Sequence, residues 1–99
     1  MSIVVQKYGG TSVRNLECQR QVLAKVKRPL QDGSKVVVVL SAMSGETNRL
    51  IGLARQWASC PDPAEMDALV TTGEQVSVAL FAMLLLSQGR SEEHTSELQ

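Results

Sequence analysis

Lys7-Tyr8-Gly9-Gly10-Thr11-Ser12-Val13 is the stretch best equipped for chemistry, with a cation, paired glycines and two hydroxyls in immediate succession. It follows the apolar run Ile3-Val4-Val5 and precedes a segment of helical spacing, so it reads as a strand-to-helix turn. Such a turn can hold phosphate. Glycines let the backbone approach a ligand, and a helix start offers unpaired N–H groups. Lys7 adds a mobile positive charge, and Thr11 and Ser12 add hydroxyl donors. A plain βα turn, with glycines serving geometry and a lysine closing the strand, fits the same residues. The stretch alone leaves both readings open.

Two further small-residue segments follow. Ser41-Ala42-Met43-Ser44-Gly45-Glu46-Thr47-Asn48 lies after a second strand, and Thr71-Thr72-Gly73-Glu74-Gln75 forms a third interruption. In parallel α/β sheets ligands bind at the carboxyl ends of the strands, so the first two turns are expected on one rim. Other chemistries lack their residues. No Ser-His-Asp or Cys-His set is present, no G-x-G-x-x-G follows either strand, and there is no G-x-x-x-x-G-K-[ST].

The elements that must position these turns are read from periodicity. Ile3 to Gln6 is a strand buried on both faces. Asn15 caps a helix whose inward positions are Leu16, Val22, Leu23, Val26 and Leu30, and Pro29 predicts an end or kink near Lys27 or Arg28. Asp32-Gly33-Ser34 is a loop, and Lys35 to Leu40 is a strand whose four valines call for helices on both sides. Strand, helix, strand implies a βαβ unit with parallel strands. A helix is expected from about Glu46 to Ala58, with Leu50, Ile51, Ala54 and Trp57 on one face. After the Pro61-Asp62-Pro63 break comes a short helix capped by Asp62, carrying Met66, Leu69 and Val70 inward. A last, strongly apolar helix follows Gln75, with Val76, Ala79, Leu80, Met83 and Leu84 along one stripe, ending at Gln88-Gly89. Little else in the chain can cover that helix.

Ninety-nine residues make one domain at most, or part of one. Ten basic and ten acidic residues balance, which argues against nucleic acid or an anionic membrane as partner. Cys18 and Cys60, without metal-ligand companions, fit reduced thiols in the cytoplasm. The apolar run Val76 to Leu86 falls short of the roughly 20 residues a membrane span needs. Arg90 to Gln99 changes character abruptly, with no apolar periodicity, and looks like the in-frame translation of a widely used sequencing-library adapter. It is therefore expected to be an artefactual or disordered tail, which leaves His94 without a role.

With the three turns placed, the sequence resembles the N-terminal part of the aspartate kinases, within the amino acid kinase family. KYGGTSV at Lys7 to Val13, VVVVLSAMSGETNRL at Val36 to Leu50 and TTGEQVSVAL at Thr71 to Leu80 carry the resemblance. It implies the N-terminal part, residues 1–89, of a three-layer αβα sandwich with a mainly parallel sheet. It also implies transfer of a phosphoryl group from ATP, with Mg²⁺, to the β-carboxylate of L-aspartate. That reaction gives 4-phospho-L-aspartate and opens lysine, threonine, methionine and, in many bacteria, diaminopimelate synthesis. By position, Lys7 would be catalytic and contact the ATP phosphates together with Tyr8, Gly9, Gly10, Thr11, Ser12 and Ser41. Thr47 and Glu74 would bind aspartate, Glu74 through its ammonium group. The plainer roles are a local cap for Thr47 and a first-turn helix acid for Glu74. No metal ligand is identifiable in the chain. A cytoplasmic, homo-oligomeric full-length enzyme is implied, whose isolated N-terminal part is inactive and poorly soluble. Competing readings are another amino acid kinase, such as one acting on N-acetylglutamate, and a non-catalytic anion-binding βαβ module.

Overall fold

The computed structural model describes residues 2–93, with side chains described as far as Gln88. Its elements run β1 (Ile3–Tyr8), α1 (Leu16–Gln31), β2 (Lys35–Leu40), α2 (Glu46–Trp57) and α3 (Pro63–Glu93). β1 and β2 pair in parallel from Ile3 opposite Lys35 to Tyr8 opposite Leu40, so both strands end on the same rim. This is an α/β arrangement, with the βαβ unit that the strand-helix-strand order predicts.

The period of two along each strand sorts the side chains by face. Val36, Val38, Leu40 and Tyr8 point to a core formed with Val13, Val22, Leu23 and Val26, closed from α3 by Phe81, Leu84 and Leu85. Ile3, Val5, Val37 and Val39 lie on the other face and remain exposed. Helices on both sides of the valine strand were expected. Among the described residues α1 covers one side, and the alternate face stays open.

α1 does not end before Pro29. It runs to Gln31 with the proline inside its last turns. A helical proline cannot donate to the carbonyl four residues back, here that of Lys25. That carbonyl instead accepts a hydrogen bond from Gln6 Nε2 at 3.1 Å. A side chain from β1 thus replaces the missing N–H, and the helix continues. Asn15 caps as predicted, accepting from the Cys18 N–H at 2.8 Å. The buried side is narrower than the spacing suggests, since Gln19, Val22, Leu23 and Val26 are buried while Leu16 and Leu30, at the ends, are exposed.

The third interruption is not a turn. α3 is one helix of 31 residues passing straight through Thr71–Gln75. The Thr71 hydroxyl donates to the Asp67 carbonyl at 2.7 Å and the Thr72 hydroxyl to the Leu69 carbonyl at 2.6 Å, folding these side chains back onto the helix. A single interior glycine costs about 1 kcal/mol relative to alanine, which packing can offset. Gly73 has that packing: a Cβ there would lie 3.1 Å from Ala42 Cβ and 3.6 Å from Leu50 Cδ1. Small residues therefore mark a close helix contact here rather than a break.

The inward stripe of α3 also differs from the expected one. Gly73, Ser77 and Phe81, four residues apart, are buried, whereas Val76, Leu80 and Met83 are exposed. A helix apolar nearly all round has no preferred face by hydrophobicity, so the small side chains that allow close approach decide. By length and hydropathy Pro63–Gln88 could cross a membrane, so shortness no longer argues against a span. One stripe of it, Gly73–Ser77–Phe81, packs on the body of the protein, and many of its other large apolar side chains are exposed among the described residues. Asp62 caps its start, accepting from the Glu65 N–H at 3.1 Å. The expected end at Gln88-Gly89 is passed too. Arg90 to Glu93 continue α3, and the last six tail positions, His94 among them, lie outside the described residues. Trp57, expected to face inward from α2, is 81% exposed. Only Leu50 of that helix is buried.

Candidate functional site

The glycine turn and the loop after β2 are bonded to each other through their backbones. Ser41 N–H donates to the Tyr8 carbonyl at 3.1 Å, and Ser44 N–H donates to the Gly10 carbonyl at 3.2 Å. Within the first turn, Ser12 N–H donates to Gly9 and Val13 N–H to Gly10. The contact is too close for a side chain at Gly10, where a Cβ would meet the Ala42 carbonyl oxygen at 2.8 Å. Gly9 is free of such contact. Of the two glycines, one is required by the neighbouring loop and the other lies open on the rim.

α2 starts from Gly45, which sits at φ 87° in the left-handed region that glycine adopts readily. This sharp entry sends Glu46 and Thr47 into the first turn beside the rim. Glu46 is held by the Arg49 guanidinium, with contacts of 2.9 and 3.1 Å, and that bond lowers its carboxyl pKa and raises that of Arg49. Thr47 is exposed and its hydroxyl makes no hydrogen bond among the described residues, so it does not act as the helix cap. Glu74 is likewise not in a first turn. It projects from the middle of α3 into an open groove of about 500 Å³ between that helix and β2, lined also by Val39, Leu40, Thr71 and Gln75.

Three sequence motifs therefore converge, and Ala42 is where they meet. A side chain at Gly10 would meet its carbonyl and one at Gly73 its methyl group, and the residue itself is buried. Gln19, buried on α1, ties the same joint from below: its Nε2 donates to the Val13 carbonyl at 3.0 Å and lies 3.9 Å from Met43 Sδ. Neither Ala42 nor Gln19 stands out in the sequence. A small residue in a loop and a glutamine in a helix carry no periodic signal.

The strand pleat divides the expected phosphate contacts between two faces. Lys7, exposed and opposite Val39 in the ladder, lies on the open face, while the Glu74 groove runs between α3 and β2 and is lined by Val38 and Leu40 of the core face as well as by Val39. Tyr8 points to the α1 side, where it donates to Gln6 Oε1 at 2.7 Å, and burial raises its phenol pKa above the ordinary 10.0. Thr11 and Ser12 line a cavity on that same side. Among the described residues no cluster of three or more His, Cys, Asp or Glu side chains is placed to hold a metal.

The sequence matches the amino acid kinase family over residues 2–98. The chain belongs to the amino acid kinase family. It is 56% identical over 89 residues to an aspartokinase of Pseudomonas aeruginosa, covering 90% of this chain and 22% of that protein. An aspartokinase of Geobacillus stearothermophilus is 49% identical over 89 residues, with the same two coverages. The crystal structure of aspartate kinase from Synechocystis superposes with a TM-score of 0.82 at 45% identity, over 87% of this chain and 15% of that one. The chain thus spans about a fifth of the length of the curated relatives it matches.

Proposed function

We propose that this chain supplies the phosphate-facing wall of an aspartate kinase, which transfers the γ-phosphoryl group of ATP to the β-carboxylate of L-aspartate. The observation that carries the reading is the joint at Ala42, which brings the glycine turn, the start of α2 and the Glu74 turn of α3 onto one rim. An identity of 56% over 89 residues to an aspartokinase supports the choice of substrate.

The residues suit that chemistry. A carboxylate with a reference pKa of about 3.9 is already ionised at neutral pH and needs no general base. One of its oxygens forms the new bond to the γ-phosphorus as the bond to the bridging oxygen of ADP breaks. The protein's task is to align two anions and offset the charge on the transferring group. Lys7 supplies that charge from the open face. Gly9, without a side chain, lets the phosphates approach the turn, Gly10 keeps it joined to the next loop, and Ser41 adds a contact at the end of β2. Thr47 and Glu74 hold aspartate, the latter through its ammonium group. Mg²⁺ arrives with ATP, and no metal ligand is assigned to this chain. The same reading carries a cytoplasmic location and a homo-oligomeric full-length enzyme. It also retains residues 1–89 as the kinase part and 90–99 as an adapter-derived tail.

The test is a graft. Residues 1–89 replace the corresponding segment of the Pseudomonas aeruginosa aspartokinase, and the acyl phosphate is trapped with hydroxylamine. The chimera is expected to phosphorylate L-aspartate, and Lys7→Met is expected to lower kcat by about 10²-fold or more, the scale of losing one charge-stabilising group. A folded chimera that prefers N-acetylglutamate, or that is indifferent to Lys7→Met, would overturn the assignment. The 99-residue chain alone is expected to show no turnover.

A further inference from the structure

The α1 side of the glycine turn holds a cavity of about 310 Å³, lined by Tyr8, Thr11 and Ser12, which the resemblance gives to the ATP phosphates, but lying on the other face of the sheet from Lys7. Arg14 and Lys25 bring two cations to its lining, Thr11 and Ser12 bring hydroxyls, and no Asp or Glu lines it. The Arg14 guanidinium spends one N–H on the Thr11 carbonyl at 3.3 Å, which fixes the group beside the turn and leaves its other donors available. Lys25 Nζ stands 6.0 Å from the centroid of the Tyr8 ring, over a phenol anchored by Gln6. Lys25 makes no ion pair among the described residues. Two cations lining one cavity with two hydroxyls, and no carboxylate among its lining residues, attract a dianion rather than a neutral ligand.

We propose that this cavity is a second anion site, taking a phosphate-class dianion between Arg14, Lys25 and the Thr11 and Ser12 hydroxyls, on the opposite face of the sheet from Lys7. The proposal does not depend on kinase activity. Its ligand chemistry is shared by free inorganic phosphate and by the phosphate tail of a nucleotide.

Cys18 lines the cavity and Cys60 is exposed elsewhere, so the protein carries its own reporter and its own control. The full chain is alkylated with uncharged iodoacetamide at fixed ionic strength, and the two cysteines are read separately by mass spectrometry. Inorganic phosphate at ten times its dissociation constant is expected to slow Cys18 about ten-fold relative to Cys60, because only the empty cavity reacts. Chloride at matched ionic strength is expected to leave the ratio unchanged. Arg14→Gln and Lys25→Gln each remove an exposed charge and are expected to raise the phosphate needed for half-protection about ten-fold or more. Lys35→Gln, at the far end of the sheet, is expected to leave it unaltered. Equal protection by phosphate and ATP identifies a free anion as ligand, and stronger protection by ATP identifies the nucleotide tail. An unchanged Cys18 to Cys60 ratio, protection by adenosine, or protection abolished by Lys7→Gln but kept in both cation variants overturns the site.

Discussion

Gly10→Ala tests the joint between the two rim loops, and its cost can be worked from the contacts. The added methyl would lie 2.8 Å from the Ala42 carbonyl oxygen and 3.3 Å from Ser44 N. Both are backbone atoms, so no side chain can swing away, and the loops must separate by a few tenths of an ångström. Overpacking of this kind costs about 1–3 kcal/mol. Separation also lengthens the Ser44 N–H bond to the Gly10 carbonyl, already 3.2 Å, which forfeits up to about 1 kcal/mol. The unfolded chain loses some freedom when glycine becomes alanine, which offsets about 0.4–1 kcal/mol. A net loss of about 2 kcal/mol remains. At a urea m-value of about 1.5 kcal/mol/M the unfolding midpoint falls by roughly 1.3 M. Far-UV circular dichroism in dilute solution is the assay, because the single Trp57 is too exposed to report on the core. Gly9→Ala is the control. A Cβ there meets nothing within 4 Å, so its midpoint is expected to hold or rise slightly. Equal midpoints for Gly10→Ala and the wild type would refute the reasoning, as would a Gly9→Ala loss of the same size.

Gln6→Ala leaves the Lys25 carbonyl without its donor and is expected to cost about 0.5–1.5 kcal/mol. Because Pro29→Ala restores a helical N–H to that carbonyl, the cost should shrink in the double variant, and a double-mutant cycle by urea unfolding reads the coupling. Tyr8, the sole tyrosine, should ionise above 10 in the folded chain and near 10 in urea, followed by absorbance at 295 nm. Since its folded pKa is the higher one, the neutral phenol's contribution to stability is whole below pH 10 and is lost as pH rises through the folded pKa. The open sheet face of Ile3, Val5, Val37 and Val39 and the outer side of α3 should drive self-association, and a monodisperse monomer at NMR concentrations would contradict this.

What could be read in the sequence was what local chemistry determines. Asn15 and Asp62 cap because their carboxamide and carboxylate oxygens reach the N–H three residues on, a relation that needs no tertiary context. The two β-branched runs and the small-residue segments after them place both strand ends, hence both loops, on one rim. The helix end expected at Pro29 does not occur, for the opposite reason. Whether a proline breaks a helix depends on who satisfies the abandoned carbonyl, and the donor, Gln6, belongs to another element. Leu16, Leu30 and Trp57 fit an inward helical pattern but occupy or approach helix ends, where the described residues offer nothing to pack against.

The Thr71–Gln75 segment shows how one composition serves two structures. Threonines and a glycine between apolar runs read as a break because each is a poor helix former. In the folded chain the same residues are what the contact requires. Gly73 lets α3 reach Ala42 and Leu50, Ser77 continues the narrow stripe, and the threonine hydroxyls fold back onto carbonyls of their own helix. The difference matters for Glu74. On a loop its carboxylate would be placed by a mobile backbone. On a helix fastened one residue away, at Gly73, its Cα is fixed relative to the loop that carries Ser41 and the first turn of α2 that carries Thr47. Widening the contact by Gly73→Ala should therefore displace Glu74 together with the loop. In the grafted enzyme that is expected as a rise in the KM for aspartate larger than any rise in the KM for ATP. Equal changes in both would mean that α3 only stabilises the fold.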